Sequence, residues 1–300
     1  MNVPIETDLG KARIGVIGGS GLYKMQELNN INELNIETPY GKTSDKLFLG
    51  EISGFEVVFL ARHSRNHSLS PSEVPYQANI WAMKSLGVRW IISASAVGSL
   101  QEDLHPLDIL IPDQFIDRTK SRPSTFFGNG VVAHVSMAEP FCSNLSSILN
   151  RTSLPLMPND RKIKLGGTYL CMEGPAFSTR AESELYRKLG CSVIGMTNHT
   201  EARLAKEAEI AYASLAMITD YDCWHVEHEN VTVEMILDNL NSNAELAEKI
   251  IYESIIQIGN TQPSSNSHTA LKDALLTNRD NVSEKTLQKV QLLTEKYWDK

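Results

Sequence analysis

The feature that most constrains the fold of this chain is a repeated change between two kinds of apolar pattern. Continuous apolar runs, typical of strands covered on both faces, occur at residues 12–19, 89–99, 191–197 and 210–222. Segments whose apolar residues recur with the spacing of a helix face lie between them. Because strands that alternate with helices favour parallel pairing, the sequence predicts an α/β fold with a largely parallel central sheet flanked by helices.

The remaining patterns fit this scheme. Residues 46–52 and 55–62 predict a hairpin, whose antiparallel pair makes the expected sheet a mixed one. Thr179 and Glu182 have the T-x-x-E spacing of a capping box, and the helix that they begin is expected to end at Gly190. Strands are also predicted at 107–117 and 168–177, and helices at 75–87, 201–210 and 231–259.

Length and C-terminal composition indicate the domain organisation. The chain has 300 residues, of which 42% are hydrophobic, and this is enough for one large core. A stretch rich in Ser, Asn and Pro at 260–268 is typical of a linker. We therefore predict a single domain at 1–259, followed by a linker and a C-terminal helical tail at 260–300. Within the tail, 269–277 and 283–298 are expected to form short helices.

Composition argues against several classes of partner. The net charge is -8 and no stripe of Lys and Arg is present, whereas nucleic-acid phosphates require clustered positive charge. The four cysteines contain no C-x-x-C pair and are too sparse for a disulfide scaffold, so reduced thiols are expected. The N-terminal segment lacks an apolar signal core, and the longest apolar runs are far shorter than the ~20 residues that span a bilayer. These features predict a cytoplasmic protein without nucleic-acid or membrane partners.

Two segments at the ends of predicted strands carry groups that suit an anion. The run GVIGGSG ends in glycines and Ser20, whose backbone and hydroxyl donors can approach a phosphate. Neither nucleotide motif is satisfied, because Lys24 replaces the third glycine of the dinucleotide fingerprint and Ile36 replaces the first glycine of a P-loop. After the hairpin, Arg62 offers a planar fork for phosphate and His63 a further donor. Taken alone, the glycine segment is more often a tight turn, and a solvated loop explains the Arg-His segment equally well.

Three later segments place polar or aromatic groups at strand ends and turns. Ser95 lies in SASAVGS, where small residues allow close approach of either a ligand or a neighbouring strand. Phe177 precedes a helix and can stack on a flat heterocycle, although such a residue more often joins the core. Asp220 and Asp222 end an apolar run, and by themselves they fit turn residues better than site residues. The segment HVEH has neither the H-E-x-x-H spacing nor a third ligand, so no metal site is predicted.

Taken together, several segments resemble one known family. In chain order they read GGSGLY, LARHSRNH, YQANIWAMKSLG, SAVGSL, DQFIDRT, MAEPFC, MEGPAFSTRAES, LAKEAEI and TDYDCW, and they extend from about residue 13 to 259. They are similar to segments of the methylthioadenosine phosphorylases, a family of trimeric purine nucleoside phosphorylases. The resemblance implies a nucleoside phosphorylase-like fold and a pentosyltransferase of purine and methionine salvage. Such an enzyme cleaves 5′-methylthioadenosine with inorganic phosphate to adenine and 5-methylthioribose 1-phosphate.

The resemblance also implies roles for individual residues. Asp220 would give a proton or a strong hydrogen bond to N7 of the purine. Asp220 and Asp222 could both accept a hydrogen bond from the 6-amino group. Phosphate would be a co-substrate that attacks C1′, with no metal or organic cofactor, in a homotrimer whose subunits share their sites. The implied phosphate ligands are Ser20, Arg62, His63, Ser95, Ala96 and Thr197; Phe177 and Met196 would contact base and ribose; Val233, Leu237 and His134 of a neighbouring subunit would contact the 5′-methylthio group.

The sequence leaves other activities open. A nucleosidase would use water instead of phosphate, which Arg62 and the Ser20 loop disfavour. A 6-oxopurine or methylthioinosine phosphorylase is disfavoured by Asp220, because relatives that prefer 6-oxopurines carry Asn at that position. A non-catalytic purine-binding protein would tolerate loss of Arg62 and Asp220, yet both are present. A dinucleotide oxidoreductase is disfavoured by the missing third glycine.

The sequence departs from the family pattern at two adjacent positions. Thr200 stands where the family usually has Pro, and we expect it to cap the helix that follows, with a small effect. His199 is unusual at its position and is expected either near the base or facing solvent.

Overall fold

The computed structural model describes residues 12–19, 28–225 and 233–298, and for 233–238 and 240 it describes the backbone only. The strands are β1 (Arg13–Gly18), β2 (Asn29–Leu34), β3 (Glu37–Thr38), β4 (Gly41–Lys42), β5 (Leu47–Ile52), β6 (Phe55–Ala61), β7 (Val88–Ser99), β8 (Ile109–Ile111), β9 (Gln114–Arg118), β10 (Ile163–Leu165), β11 (Thr168–Met172), β12 (Val193–Gly195) and β13 (Ala211–Asp220). The α-helices are α1 (Tyr76–Ser85), α2 (Ser143–Ser153), α3 (Arg180–Lys188), α4 (Asn198–Glu207), α5 (Val233–Thr261) and α6 (Glu284–Trp298).

One sheet of eleven strands forms the centre of the fold, and β3 and β4 form a separate pair. The main path of the large sheet runs β10–β8–β13–β7–β1–β6–β5–β2, and β12, β11 and β9 continue from β7 as a branch. The central pairs of β13 with β7, β7 with β1 and β1 with β6 are parallel, whereas β5 pairs antiparallel with β6 and with β2. The predicted mixed, largely parallel sheet flanked by helices is therefore confirmed.

Helices cover both faces of this sheet, which explains why its central strands are apolar without interruption. Successive side chains of a strand point to opposite faces. In β6, Val57 and Phe59 pack in the core that includes α2 and α5, whereas Val58 and Leu60 pack in the core that includes α1 and α4. The polar residues that follow these strands are thus left at the sheet edge, where the buried layer ends.

Two local predictions are confirmed. Strands β5 and β6 form the predicted hairpin, with Ile52 opposite Phe55. At the start of α3, the Glu182 N–H donates to Thr179 Oγ1 at 3.2 Å, and the Thr179 N–H donates to Glu182 Oε2 at 2.8 Å. These reciprocal bonds are the capping box that the T-x-x-E spacing predicts.

The segment expected as one strand at 107–117 forms two strands instead. β8 pairs with β10 and β13, whereas β9 pairs with β11, so the chain changes neighbours between them. Pro112 lies at this point and has no N–H to donate to a ladder. The next N–H, that of Asp113, donates to the Gly167 carbonyl at 3.2 Å and leads the chain toward β11.

The tail contains one of the two helices expected there. α6 confirms the helix predicted at 283–298. The prediction of a helix at 269–277 is wrong, because a 3₁₀ turn at Asn266–Thr269 is followed by further turns. The segment pairs with an extended part of the main domain instead of continuing a helix, and the Leu276 N–H donates to the Val132 carbonyl at 3.0 Å. Buried side chains of the tail, among them Leu271 and Leu293, pack in the same core as α1 and α4.

Candidate active site

The register of the central strands brings the predicted anion-binding segments to one edge of the sheet. Gly18 lies opposite Ala61 of β6, and Ile17 lies opposite Ser93 of β7. The Arg62 N–H, directly after β6, donates to the Gly18 carbonyl at 3.0 Å. The ends of β1 and β6 and the middle of β7 therefore meet, as expected for ligand sites at the carboxyl ends of parallel strands.

Arg62 is buried at this edge and is already paired with a carboxylate. Its Nε and Nη2 atoms donate to the two oxygens of Glu201 in the first turn of α4, with Nη2 to Oε2 at 3.1 Å. Nη2 also donates to Ser93 Oγ at 2.7 Å, and Nη1 donates to the Ala94 carbonyl at 3.0 Å. Tyr212 Oη completes the group by donating to Glu201 Oε2 at 2.7 Å.

This pair fixes Arg62 in place and offsets its charge. Both side chains are 3% exposed, so each charge needs the other to compensate for its loss of water. The adjacent carboxylate keeps the pKa of Arg62 raised against the opposing effect of burial. An anion at this site would meet a guanidinium that is rigid and locally neutralised, and therefore backbone and hydroxyl donors must contribute to binding it.

His63 is expected to be neutral near pH 7. Its Nδ1 lies 2.8 Å from the Leu69 carbonyl, and since a carbonyl only accepts, Nδ1 carries the proton. Burial, together with the neighbouring Arg62 charge, lowers the pKa of His63 to about 4. The ring also stacks on His67 at 4.8 Å between centroids. Toward an anion, the unprotonated Nε2 can accept a hydrogen bond from a phosphate O–H, and it becomes a donor only if the ring gains a proton.

The other predicted phosphate ligands that the structure describes lie beside Arg62. Ser95 is buried in β7, and its Oγ lies near the Tyr169 hydroxyl without forming a well-aligned hydrogen bond to any described residue. Ala96 follows it on the same strand. Thr197 is the N-cap residue of α4, two residues after the end of β12, and its side chain makes no capping hydrogen bond. Ser20 lies outside the described residues.

Asp220 and Asp222 lie at the carboxyl end of β13, on the neighbouring strand. Both residues are buried, at 6% and 8% exposure. The Asp220 carboxylate accepts from Thr219 Oγ1 and from the Asp222 N–H, each at 2.8 Å. Asp222 has a left-handed backbone with φ of 52°, and its Oδ2 has no hydrogen-bond partner within the described part of the chain. Two buried carboxyl groups are therefore held close together at the end of β13.

Burial makes Asp220 a weaker acid than an ordinary aspartic acid, so it holds its proton to a higher pH. Burial raises the pKa of Asp220 to about 6, and the nearby Asp222 charge adds to this effect, whereas the bonds from Thr219 and from the Asp222 N–H oppose it. Burial also raises the pKa of Asp222, an effect that the Ser183 and Ser178 hydroxyls oppose because they lie near the carboxylate, although they form no well-aligned hydrogen bond with Oδ2. A carboxyl group whose pKa lies near neutrality can hold a proton and release it during a reaction, as a general acid requires.

Gly98 allows Asp220 to occupy this position. The two residues lie opposite each other at the end of the β7–β13 ladder, where the register shifts. A Cβ at Gly98 would lie 2.9 Å from Asp220 Oδ1 and 3.2 Å from Cγ2 of Ile194. The glycine in SASAVGS therefore reflects the close approach of a carboxylate as well as strand packing.

Replacing Gly98 with Ala is expected to lower activity more than stability, because the new methyl group displaces the Asp220 carboxylate. A shift of about 1 Å in a catalytic group can cost about 100-fold in rate. Gly15→Ala is the matched control, because Gly15 lies in the middle of β1, away from the carboxylates. A Cβ there would lie 2.9 Å from Cγ1 of Val88 and is therefore just as crowded. Turnover and thermal unfolding of both variants test this. Equal loss of turnover in the two variants would contradict the account.

Sequence reasoning missed Arg122, which contacts the predicted ribose contact Met196. Its Nη1 donates to the Met196 carbonyl, and its Nη2 donates to the Glu173 carbonyl at 2.5 Å. Phe177 is 47% exposed, so its ring is not part of the core. Met196 is partly buried, and its Sδ would lie 2.5 Å from a Cβ at Gly174. In sequence, Arg122 lies in a polar stretch without periodicity, and only its adjacent proline sets it apart.

At the two unusual positions of α4, the capping role expected for Thr200 is wrong, and of the two alternatives for His199 the solvent-facing one is excluded. The helix begins at Asn198, so Thr200 lies inside its first turn and does not cap it; the Thr200 hydroxyl is buried without a partner among the described residues. His199 is 2% exposed and does not face solvent. Its ring meets Phe115 edge-on at 4.8 Å between centroids, and its Nδ1 lies 3.3 Å from an oxygen of Asp117.

The residues predicted to contact a 5′ substituent are only partly described. Val233 and Leu237 belong to α5, but their side chains lie outside the description. His134 is exposed on the surface of the subunit, where its N–H donates to the Ala274 carbonyl of the tail at 2.9 Å. It is thus available to a neighbouring molecule.

No group of three or more His, Cys, Asp or Glu side chains within 12–19, 28–225 and 233–298 could hold a metal ion. No helix in that part of the chain is both long and apolar enough to cross a membrane.

Comparison with known proteins gives a consistent result. The model of the phosphorylase superfamily matches residues 13–256. The S-methyl-5′-thioadenosine phosphorylase of Prochlorococcus marinus is 61% identical over 97% of this chain and 93% of its own length. The protein of the same name from Thermosynechococcus vestitus is 56% identical, with 95% and 99% covered.

Solved structures extend this similarity to the fold. A methylthioadenosine phosphorylase from an Antarctic soil metagenomic library has a TM-score of 0.91 and 52% identity, covering 94% of this chain and 98% of its own. The methylthioadenosine phosphorylase of Schistosoma mansoni in complex with adenine has a TM-score of 0.78 and 36% identity, covering 83% and 92%. This chain therefore belongs to the phosphorylase superfamily and, within it, to the methylthioadenosine phosphorylases that its motifs resemble.

Proposed function

We propose that this protein cleaves 5′-methylthioadenosine with inorganic phosphate to give adenine and 5-methylthioribose 1-phosphate. The observation that carries the proposal is the buried carboxyl pair at the end of β13, placed on the same sheet edge as Arg62 and Ser95. Phosphorolysis requires two parts. The carboxyl groups can recognise the purine, and the edge that carries Arg62 and Ser95 can bind the anion. The relatives named S-methyl-5′-thioadenosine phosphorylase support this choice of substrate.

Asp220 acts on the leaving purine. With a pKa of about 6, its carboxyl group can carry a proton and give it to N7 as the glycosidic bond breaks. The neighbouring Asp222 accepts from the 6-amino group, because its Oδ2 is buried without a partner among the described residues. Phe177, half exposed beside this corner, packs on the ring of the base.

Phosphate attacks C1′ from the edge formed by β1, β6 and β7. Ser95 Oγ, the backbone at Ala96 and Thr197, and His63 contact the anion, together with the Ser20 loop. Arg62 supplies a fixed cationic plane behind them. The developing positive charge on the ribosyl carbon is stabilised by the phosphate itself, so the reaction needs no metal or organic cofactor.

The 5′-methylthio group lies in an apolar pocket completed by a second subunit of a homotrimer. Val233 and Leu237 supply one side of it, and His134 enters from the neighbouring subunit. Val132 and Leu276 lie beside His134 on the paired segments and are 46% and 67% exposed, which favours burial of this surface against another copy. The protein acts in the cytoplasm, in purine and methionine salvage.

The value of kcat/KM for the nucleoside is expected to fall as the pH rises above about 6. Because burial raises the pKa of Asp220, the proton is bound below that value and lost above it, and the rate falls with the protonated fraction. Phosphate ionisation affects every variant alike, so the profile of Asp220→Asn serves as the control. If kcat/KM of the variant falls above about pH 6 in the same way as that of the unchanged protein, the ionisation of Asp220 does not cause the fall.

Base release from 5′-methylthioadenosine, measured with and without phosphate and alongside 5′-methylthioinosine, tests the proposed function. Phosphate-dependent release of adenine, with the inosine analogue poorly cleaved, supports the proposal. Release of adenine without phosphate identifies a nucleosidase and overturns the phosphate site. Preferential cleavage of the inosine analogue overturns the role given to the two carboxyl groups.

A further inference from the structure

Arg122 joins parts of the chain that are far apart in sequence. Its side chain is 1% exposed, although the residue lies in a connecting segment and not in the sheet or a helix. The guanidinium donates to Tyr76 Oη at 3.2 Å, to Glu173 Oε1 at 3.3 Å and to the Met172 carbonyl at 3.4 Å, in addition to the Glu173 and Met196 carbonyls. One side chain thus connects α1, the turn after β11 and the segment after β12.

Glu173 extends this group to two more segments. Its carboxylate accepts from Ser72 Oγ and from the Lys120 N–H as well as from Arg122. Burial tends to raise the pKa of Glu173, but these three donors outweigh burial and keep the pKa below its usual value. Glu173 is therefore charged at neutral pH and pairs with Arg122.

The contact with Met196 reaches the proposed ribose and phosphate contacts. A trans peptide holds the C=O of one residue and the N–H of the next on opposite sides. When Arg122 binds the Met196 carbonyl, it therefore turns the Thr197 N–H away from the guanidinium. The Met196 side chain packs against the turn after β11. Gly174 in that turn has φ of 68° and, lacking a Cβ, leaves room for Met196 Sδ.

We propose that Arg122 is a positioning residue, whose guanidinium locks the Met196–Thr197 peptide to the Met172–Gly174 turn and so fixes the ribose and phosphate contacts of the site. The proposal rests on the proposed function, because the roles of Met196 and Thr197 come from it. Arg122 does not itself contact the reacting atoms. It acts through the backbone that carries them.

The geometry requires an arginine and not merely a cation. Three backbone carbonyls, a carboxylate and a hydroxyl surround one planar group, and only the forked donors of a guanidinium match them all. A lysine at this position keeps the charge opposite Glu173 but has too few donors, in the wrong directions. Arg122→Lys therefore separates the loss of geometry from the loss of charge.

The matched control is Arg13, a second buried arginine at the other end of the sheet. It donates to the Leu86 carbonyl at 2.7 Å and to Glu56 Oε2 at 3.2 Å, at the start of β1. Arg13→Lys removes comparable bonds and is expected to lower stability, but it lies at the amino end of the strand and leaves the kinetic constants unchanged.

The experiment compares Arg122→Lys, Arg13→Lys and the unchanged protein. Steady-state kinetics with 5′-methylthioadenosine and phosphate, calorimetric binding of adenine alone and thermal unfolding are measured for each. For Arg122→Lys we expect kcat/KM to fall about 100-fold, since a misplacement of about 1 Å costs that much. Adenine binding should change less than twofold, because Asp220 and Asp222 are not among the partners of Arg122.

Three results overturn the inference. The first is an Arg122→Lys variant with unchanged kcat/KM. The second is a parallel loss of activity and melting temperature in both lysine variants, which indicates a structural role only. The third is a loss of adenine binding as large as the loss of turnover. A different result, failure of the unchanged protein to cleave 5′-methylthioadenosine with phosphate, would instead refute the proposed function.

Discussion

Replacing Asp220 with Asn is expected to lower kcat/KM for 5′-methylthioadenosine by about 100- to 10,000-fold, the usual contribution of a general acid. An amide is too weak an acid to transfer a proton to N7, and because it carries both a donor NH₂ and an acceptor oxygen, it can pair with a 6-oxo group as well as with a 6-amino group. A 6-oxopurine presents an acceptor at the same place. The variant should therefore lose its preference for the 6-amino base, and 5′-methylthioinosine should be cleaved relatively better.

Asp108→Asn is the matched control for this substitution. Asp108 is also a buried carboxylate, directly before β8 and at 2% exposure, and it accepts from the Lys162 N–H at 2.7 Å and the His105 N–H at 2.8 Å. Its replacement should reduce stability and leave the preference between the two nucleosides unchanged. If Asp220→Asn retains both the rate and the preference, the carboxyl group does not recognise the purine.

Replacing Arg62 with Met is expected to have the largest effect on stability. Removing one member of a buried ion pair leaves the other charge unpaired, at a cost of about 3–5 kcal/mol in the free energy of unfolding. The Glu201 carboxylate would retain only Ser93 and Tyr212 as described partners. The same variant should also lose saturation by phosphate, which steady-state kinetics and urea denaturation measure together.

The double variant Arg62→Met, Glu201→Leu separates the two roles of Arg62. With both charges removed and the volume filled by apolar side chains, much of the lost stability should return. Phosphate-dependent turnover should not return, because the cationic plane at the anion site is still missing. A double variant as unstable as Arg62→Met contradicts the ion-pair account, and normal saturation by phosphate in either variant contradicts the role of Arg62 in the site.

The parts of the site that could be predicted from sequence are those that local pattern determines. A strand buried on both faces is apolar until it leaves the core, so polar residues at its end mark the edge of the sheet. This pattern marked Arg62 and His63 after β6 and the carboxyl groups at the end of β13, although by pattern alone the carboxyl groups fitted turn residues better. Their union in one site was implied by the family resemblance, and the parallel strands, which present their carboxyl ends together, explain it physically.

The pairing of Arg62 with Glu201 could not be predicted in this way. The two residues are separated by 139 positions, and no pattern in either segment names the partner. A helix at 201–210 was expected, but not that a carboxylate in its first turn would be buried against the sheet. Glu201 begins the helix predicted at 201–210, and a charge on the covered face of a helix is itself a sign of pairing.

The role of Arg122 and the conformation of residues 269–277 could not be predicted, for a related physical reason. Both depend on hydrogen bonds to backbone atoms of distant segments, and any residue can provide a carbonyl or an N–H. The pattern at 269–277 suits a helix by composition, yet pairing with the extended chain near Val132 satisfies its backbone instead. Tertiary contacts of this kind override weak local preferences.

The central claim is that phosphate, and not water, takes the ribosyl group, and the fate of phosphate tests it most directly. The protein is mixed with 5′-methylthioadenosine and inorganic phosphate, and adenine is measured by absorbance while phosphorus species are followed by ³¹P NMR. The account predicts one phosphate consumed, as a sugar phosphate ester, for each adenine released. Adenine released while the phosphate signal stays constant would contradict it.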